Sequence, residues 1–455
     1  MKRRAILTRW AVAVRPNPPD APYHFAKNTP AGGIRRPHPA MSFLISAPAS
    51  GSGKTTITLG LLRAFAADGM AIRGAKSGPD YIDPRFHEAA CGQPCLNLDA
   101  WAMTPERIKA LAGGATPLII EGAMGLFDGA PPDSKGASAD LAHILDLPVI
   151  LVIDAARMAG SVAPLAKGFI THDPRIRVAG VILNNVGSPR HETMLRGALG
   201  DIAVFGAVPR AGGINQPSRH LGLVQAQERP DLDAFLDGAA ELVRRHCDIP
   251  ALSAMLAPTP DATAGRIPPP AQSIAIARDA AFAFAYPHHL ADWQAAGATL
   301  SFFSPLADEP APAADLIYLP GGYPELHASR LSGNARFLDS LRSTDALIYG
   351  ECGGYMTLGR TLTDAEGVTH PMAGLLALDT SFAQRKLHLG YRNLSATSGP
   401  FAGNWKGHEF HYATTLRAEG TALFEATDAE GATLPPMGLI NGRVSGSFAH
   451  LIDRA

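Results

Sequence analysis

Four cysteines in 455 residues (Cys91, Cys95, Cys247 and Cys352) are too few to staple a chain of this size. A reducing, cytoplasmic setting is the expectation. No apolar run approaches the roughly 20 residues needed to cross a bilayer. Arg9 and Arg15 interrupt the stretch near Met1 that an export signal would need. An excess of one charge is lacking too: 40 Lys and Arg against 41 Asp and Glu leave −1, which gives no general pull toward nucleic acid or an acidic membrane. Internal repeats and low-complexity arrays are also missing. What is present is a hydrophobic fraction of 46%, ample for buried cores, in a chain too long for one of them.

Residues 1–40 are rich in Pro and Arg without periodicity, and read as a disordered extension, or an over-extended start, because Met41 directly precedes the first convincing strand. From there to 247, apolar runs such as Phe43–Ala47, Pro117–Glu121, Val149–Asp154 and Val178–Asn184 alternate with amphipathic stretches. That alternation predicts a doubly wound, mainly parallel α/β sheet. Residues 248–272 carry Pro250, Pro258, Pro260, Pro268, Pro269 and Pro270 and read as a linker. A second series (Ser273–Ala277, Thr299–Phe303, Leu316–Leu319, Ala346–Tyr349) predicts a second α/β domain over 273–455, more β-rich after 380.

Two reaction centres stand out, about 300 residues apart. In the first, Ser50, Gly51, Ser52, Gly53, Lys54, Thr55 and Thr56 follow a strand and open a helix with Ile57, Leu61, Leu62 and Phe65 at helical spacing and Gly69 as its stop. Gly51 and Gly53 let the backbone reach phosphate oxygens, while successive N–H groups and the helix N-terminus face the anion. Lys54 adds a positive charge, and the Thr55 hydroxyl suits magnesium. Pro48 stands where the usual motif has its first Gly, so the loop is a variant. Acids at strand ends could complete a magnesium site: Asp80 and Asp83 in Gly78–Pro84, Glu121, Asp128 in the glycine-rich loop beyond it, and Asp154.

The second centre is Gly350-Glu-Cys-Gly-Gly354, where small neighbours permit a sharp strand-to-helix turn. A thiol there meets the positive end of a helix, which predicts a lowered pKa for a nucleophilic Cys352. His450 is the chain-distant candidate base, and Gly321 and Gly322 in Leu319-Pro-Gly-Gly322 could donate N–H groups to an oxyanion. Cys91 and Cys95 lack the companions of a zinc site and read as free thiols. His408-Glu-Phe-His411 does not have the spacing of the zinc-binding helix motif.

At these residues the chain resembles the cobyrinic and hydrogenobyrinic acid a,c-diamide synthases of cobalamin biosynthesis. Further blocks carry the likeness: Lys76–Pro84, Asn97–Asp99, Glu121–Gly129, Pro217–Val224, Ala275–Phe282, Phe303–Leu306, Leu319–Glu325 and Lys406–Tyr412. The resemblance implies a dethiobiotin-synthetase-like ATP domain followed by a class I glutamine amidotransferase domain, a soluble ligase. In it, Cys352 with His450 as base releases ammonia from L-glutamine. ATP, bound at Ser50–Thr56 with Mg2+ on Thr55, Glu121 and Asp80 or Asp83, converts a corrin carboxylate into an acyl phosphate that ammonia displaces. Tyr81, Ile82, Asp83 and Asp128 would lie where that carboxylate approaches. The implied partner is a small corrinoid, with neither nucleic acid nor membrane, and a homodimer is compatible with it.

Leu451 and Ile452 follow His450 where most class I amidotransferases have Pro-Glu, so the group that orients the imidazole is not evident in the sequence. His289 also stands where the family commonly has Asn. Asp379–Tyr391 looks like the branch that acts on the metal-free ring, with the cobalt-containing ring as alternative. A cobyric acid synthase would carry a Gln-Asn-Met-like segment at Pro79–Tyr81. A partitioning-type ATPase would lack the Cys352 half.

Overall fold

The computed structural model describes residues 42–210 and 224–455. The extension 1–40 and residues 217–223 of the Pro217–Val224 block lie outside it. Short apolar segments bounded by glycine and proline become strands β1 (Phe43–Ser46), β2 (Arg73–Ser77), β3 (Leu96–Leu98), β4 (Leu118–Glu121), β5 (Val149–Asp154), β6 (Val178–Val186) and β7 (Val204–Pro209). They form one parallel sheet in the order β3-β2-β4-β1-β5-β6-β7. Central strands are apolar on both faces, with Phe43, Leu44, Ile45 and Val149 to Ile153 all buried, because helices cover each side. Helix α1 (Lys54–Ala67) leaves β1, and α2 (Asp83–Cys91) leaves β2. The order reverses around β1, so the carboxyl ends of β1, β2 and β4 open the crevice where such sheets bind ligands.

The second sheet holds β8 (Ser273–Ala277), β9 (Thr299–Phe303), β10 (Leu316–Leu319) and β11 (Leu347–Glu351) in the order β11-β10-β8-β9. Strand Val444–Ser447 extends it in parallel beside β11, and Leu439–Asn441 closes that edge antiparallel. β11 runs two residues beyond the expected Tyr349, which puts Glu351 in register with Ser447. The β-rich tail begins at Thr361, earlier than the sequence suggests, and supplies two further sheets. In one of them, strands His388–Ala396, Gly403–His411 and His450–Arg454 lie side by side, antiparallel. The connection between the first two, residues 397–402, is too short to carry a parallel crossover.

The stretch read as a linker contains a short helix, Ile249–Ser253, and is tied to the first sheet. Ser42 donates its hydroxyl to the Ala257 carbonyl at 2.9 Å, and Gly114 N–H to that of Thr259 at 3.0 Å. Buried Arg107 bonds both Asp292 and Asp453 across the two halves, so all described residues belong to one compact unit.

Candidate active site

The two glycines of the phosphate loop answer to different demands. Gly51 is exposed at φ +78°, with open space where a Cβ would point, so only its left-handed backbone asks for glycine. Between them Ser52 turns its hydroxyl back to the Ala49 carbonyl at 2.9 Å, closing the loop on itself. Gly53 ends the loop at φ +97°, and a Cβ there would stand 2.1 Å from Asn184 Nδ2, whose amide donates to the Ser52 carbonyl at 2.9 Å. Glycine is therefore required at Gly53 both by conformation and by space. The loop Ser50–Thr56 thus hands its N–H groups to the start of α1. Lys54 Nζ donates to the Met124 carbonyl at 2.5 Å, in the loop after β4. Burial draws its pKa below the ordinary value, with Glu121 opposing.

Thr55 donates its hydroxyl to Glu121 Oε1 at 2.6 Å. The same oxygen lies 2.9 Å from Lys76 Nζ, while Oε2 lies 2.7 Å from His87 Nε2. Lys76 also reaches Asp83 at 2.6 Å and Asp80 at 3.8 Å. Burial alone would raise the Glu121 pKa; Lys76 and His87 override it and hold the carboxylate well below its usual range. Burial would likewise lower Lys76, but Asp83 and Glu121 hold it well above its ordinary value. Asp80 is pushed up to about 7 by burial and then by the Asp83 carboxylate. The carboxylates of Glu121, Asp83 and Asp80 surround the Lys76 ammonium, which balances them, with the Thr55 hydroxyl on Glu121; hard oxygen donors of this kind suit a divalent cation.

Sequence reasoning missed Lys76 and His87 as part of this site, although Lys76 heads the block that carries Asp80 and Asp83. Cys95, read as a free thiol, has a place here: its Sγ lies 3.5 Å from His87 Nδ1. Burial, then Glu88, keep that thiol protonated, so S–H donates to Nδ1 and leaves the His87 Nε2 proton for Glu121. Asp128 accepts from Gly125 N–H at 2.8 Å and so shapes its own loop. Asp154 accepts from Asn185 and Ala156, at the far side of β1. Ile82 packs into the core, and the buried Tyr81 has its hydroxyl 3.1 Å from His450 Nδ1.

Cys352 sits at φ +44°, ψ −97°, between β11 and the short helix Gly353–Leu358. A Cβ on Gly354 would stand 1.9 Å from the Leu319 carbonyl oxygen, which explains the glycine behind the turn. Cys352 N–H donates to the Ser447 carbonyl at 2.8 Å, and His450 lies three residues past Ser447. Cys352 thus follows β11 where the neighbouring parallel strand ends at Ser447, and His450 opens the next strand. A Cβ on Gly321 would lie 2.3 Å from His450 Cε1, and one on Gly353 would lie 3.0 Å from Gly322 N. Of the two oxyanion candidates, Gly322 therefore has its amide nitrogen beside the elbow, and Gly321 packs against the imidazole.

The lowered thiol pKa expected from the helix end is not observed. Burial pushes the Cys352 thiol up, Glu325 adds to it, and the Gly353 N–H does not offset them. A six-residue helix at a buried site is too weak a counterweight, so the resting thiol keeps its proton. Beside the elbow, Glu409 accepts from Arg392 at 2.8 Å and from His411 at 2.9 Å. His388, stacked on His411 at 4.6 Å, completes a His–Glu–His group whose carboxylate is already neutralised by Arg392. His289 is buried and hydrogen-bonds the Ile452 carbonyl at 2.9 Å, as His288 does at 2.8 Å, clamping the strand that starts at His450.

Fold and site together define a class: a P-loop nucleotide-binding half joined in one chain to a glutamine amidotransferase half. Residues 43–224 match the CobQ/CobB/MinD/ParA nucleotide binding domain, and residues 273–454 the CobB/CobQ-like glutamine amidotransferase domain. The chain is 55% identical over 428 residues to the hydrogenobyrinate a,c-diamide synthase of Brucella abortus, covering 90% of this chain and 98% of that one. With the same coverage it is 53% identical to the protein of that name in Rhizobium meliloti and 50% identical to that in Rhodobacter capsulatus. The chain belongs to the hydrogenobyrinate a,c-diamide synthase family. Among solved structures, a glutamine amidotransferase aligns at 16% identity, over 30% of this chain and 70% of that one, with a TM-score of 0.21.

Proposed function

We propose that this protein amidates the a and c acetate carboxylates of hydrogenobyrinic acid, using ATP and glutamine. The observation that carries this is the end-to-end identity with relatives of that name, across both reaction centres. A carboxylate is a poor acyl donor until one oxygen leaves as phosphate, which explains why an ATP site and an ammonia source share one chain. In this reading, residues 41–247 form the synthetase half, 248–272 the connection and 273–455 the amidotransferase half.

Cys352 Sγ attacks the glutamine amide carbon as His450 takes the thiol proton and returns it to the departing ammonia. The Gly322 N–H stabilises the oxyanion, and water then releases glutamate from the thioester. At the other centre the loop Ser50–Thr56 holds the phosphates, with Gly51 and Gly53 setting its curvature, and Lys54 balances charge on the transferring phosphoryl. Thr55, Glu121 and Asp80 would hold magnesium, which when bound supplies charge neutralisation between phosphate oxygens. The corrin carboxylate is placed beside the Tyr81–Asp83 loop and Asp128; the loop offers it backbone, since those three side chains face inward. Ammonia attacks the acyl phosphate, and phosphate leaves. The reaction requires no membrane, and no helix among the described residues is long and apolar enough to cross one.

The test is amidation of metal-free and cobalt-containing corrinoid acids with ATP and glutamine, counting carboxyl-to-amide exchanges by mass. Two exchanges on the metal-free ring are expected. Amidation confined to the cobalt ring would reassign the substrate, and no amidation of either ring would overturn the reading.

A further inference from the structure

The strand that carries His450 supplies no carboxylate to it. Leu451 and Ile452 follow, and the nearest acid in that strand, Asp453, is bonded to Arg107 at 3.0 Å. Yet His450 Nδ1 has two partners. Tyr81 Oη lies 3.1 Å away, from a residue 369 positions earlier in the chain, and Glu351 Oε2 lies 3.6 Å away. Glu351 immediately precedes the nucleophile. Its carboxylate is held by the Tyr318 hydroxyl at 2.8 Å and the Leu451 N–H at 3.2 Å, so it is fixed beside the ring.

We propose that Tyr81 and Glu351 are the positioning residues for His450, and that Tyr81 thereby makes glutamine cleavage depend on a loop of the synthetase site. This rests on the reading of His450 as the base. An ionised carboxylate is an acceptor only, so Glu351 favours the tautomer with its proton on Nδ1, leaving Nε2 to receive the thiol proton. Tyr81 Oη accepts from the same N–H. Its ring is held between Tyr286 at 4.4 Å and Phe284 at 5.1 Å, and Tyr286 donates its hydroxyl to the Pro79 carbonyl at 3.1 Å. Tyr81 leaves the loop between β2 and α2, where Asp80 and Asp83 surround Lys76. A movement of that loop as the synthetase site fills would shift a hydrogen bond on the amidotransferase base.

The titratable groups against the His450 ring are Tyr81, Glu351 and His408, stacked at 5.0 Å, with Cys352 following β11. Burial, then the neighbouring His450, hold His408 neutral, and burial keeps the Tyr81 phenol protonated. Glu351 is thus the anion that supports the imidazolium.

The experiment is glutamine hydrolysis by the full chain with ATP and corrinoid present, as a function of pH, for Tyr81→Phe, Glu351→Gln, Glu351→Asp and His450→Ala. Both Tyr81→Phe and Glu351→Gln are expected to lower kcat on the order of 10- to 100-fold, with the KM for glutamine little changed. Without the Glu351 charge the imidazolium is less favoured, so the acid limb of the kcat/KM profile moves to lower pH. Tyr81→Phe removes a neutral acceptor and leaves that limb in place. Glu351→Asp restores part of the rate and the limb. Wild-type kcat and profile in Tyr81→Phe and Glu351→Gln, with His450→Ala inactive, would overturn the proposal and leave the base assignment standing. An active His450→Ala would instead overturn the base assignment. Thermal melting separates misfolding from mispositioning; if Glu351→Gln fails to fold, Tyr81→Phe and Glu351→Asp decide.

Discussion

Thr55, the second residue of α1, gives its hydroxyl to Glu121 at the end of β4, 2.6 Å away. This bond joins the phosphate loop to the acid that also neutralises Lys76 and accepts from His87. Replacing Glu121 by Gln leaves the buried Lys76 ammonium short of an anion and takes the carboxylate acceptor from His87 Nε2. Breaking such a pair costs about 3–5 kcal/mol, and the remaining Asp83 partner of Lys76 favours the lower figure. Because the folded Glu121 pKa is depressed, its stabilisation is present at neutral pH and lost only as pH falls below the ordinary carboxylate range. The variant should melt lower at pH 7, lose amidation with either nitrogen source, and converge on the wild type in strong acid. Equal melting at pH 7 would show that the pair contributes nothing net.

Replacing Cys352 by Ala separates the two centres. Glutamine-driven amidation should vanish, while ammonia-driven amidation should persist, since the synthetase site lies at the other sheet. Assays with glutamine and with an ammonium salt, run on one preparation, decide this. Loss of both activities in a folded protein would mean that Cys352 does more than release ammonia.

Asp99 supplies a pH dependence of opposite sign to Glu121. It is fully buried, accepts from the Tyr391 hydroxyl at 3.0 Å and from Trp101 and Ala102 N–H groups, and is pushed up to about 6 because burial outweighs those bonds. The unfolded chain releases this proton near pH 4, the folded protein near pH 6. Wild type therefore loses stability relative to Asp99→Asn as pH rises from about 4 through 6, on the order of 3 kcal/mol in all. Denaturant unfolding of both proteins at several pH values reads this difference. A gap that stays constant would show that Asp99 titrates normally.

Much of this architecture is legible in the chain. Val149–Asp154, Ser273–Ala277, Thr299–Phe303 and Leu316–Leu319 appear as strands with the bounds their composition suggests, since apolar runs between turn residues suffice to define them. The phosphate loop and the Cys352 elbow are local patterns and equally readable. Partnerships across the fold are not. Nothing around Tyr81 signals that its hydroxyl meets His450, because that depends on how the loop after β2 lies against the second sheet. Glu351 cannot be paired with His450 until β11 and Val444–Ser447 are known to be neighbours. The Cys352 pKa departs from expectation for the same reason: a helix end is visible in sequence, but burial by chain-distant residues is not.

The glycines give the sharpest contrast between local and tertiary demands. Gly168 lies inside helix Val162–His172 with open space where a Cβ would point, so Gly168→Ala should stabilise by about 0.5–1 kcal/mol through helix propensity and a stiffer unfolded chain. Gly354 also lies in a helix, but there a Cβ would meet the Leu319 carbonyl oxygen at 1.9 Å, a backbone atom of β10 that cannot swing aside. Relieving that clash means moving the helix away from β10, at about 1–3 kcal/mol or more, and with it the turn that presents Cys352. Gly354→Ala should therefore lower the melting temperature and reduce glutamine hydrolysis together, whereas Gly168→Ala raises the first and leaves the second alone. A Gly354→Ala protein with wild-type glutamine turnover would show that the elbow tolerates displacement of its helix.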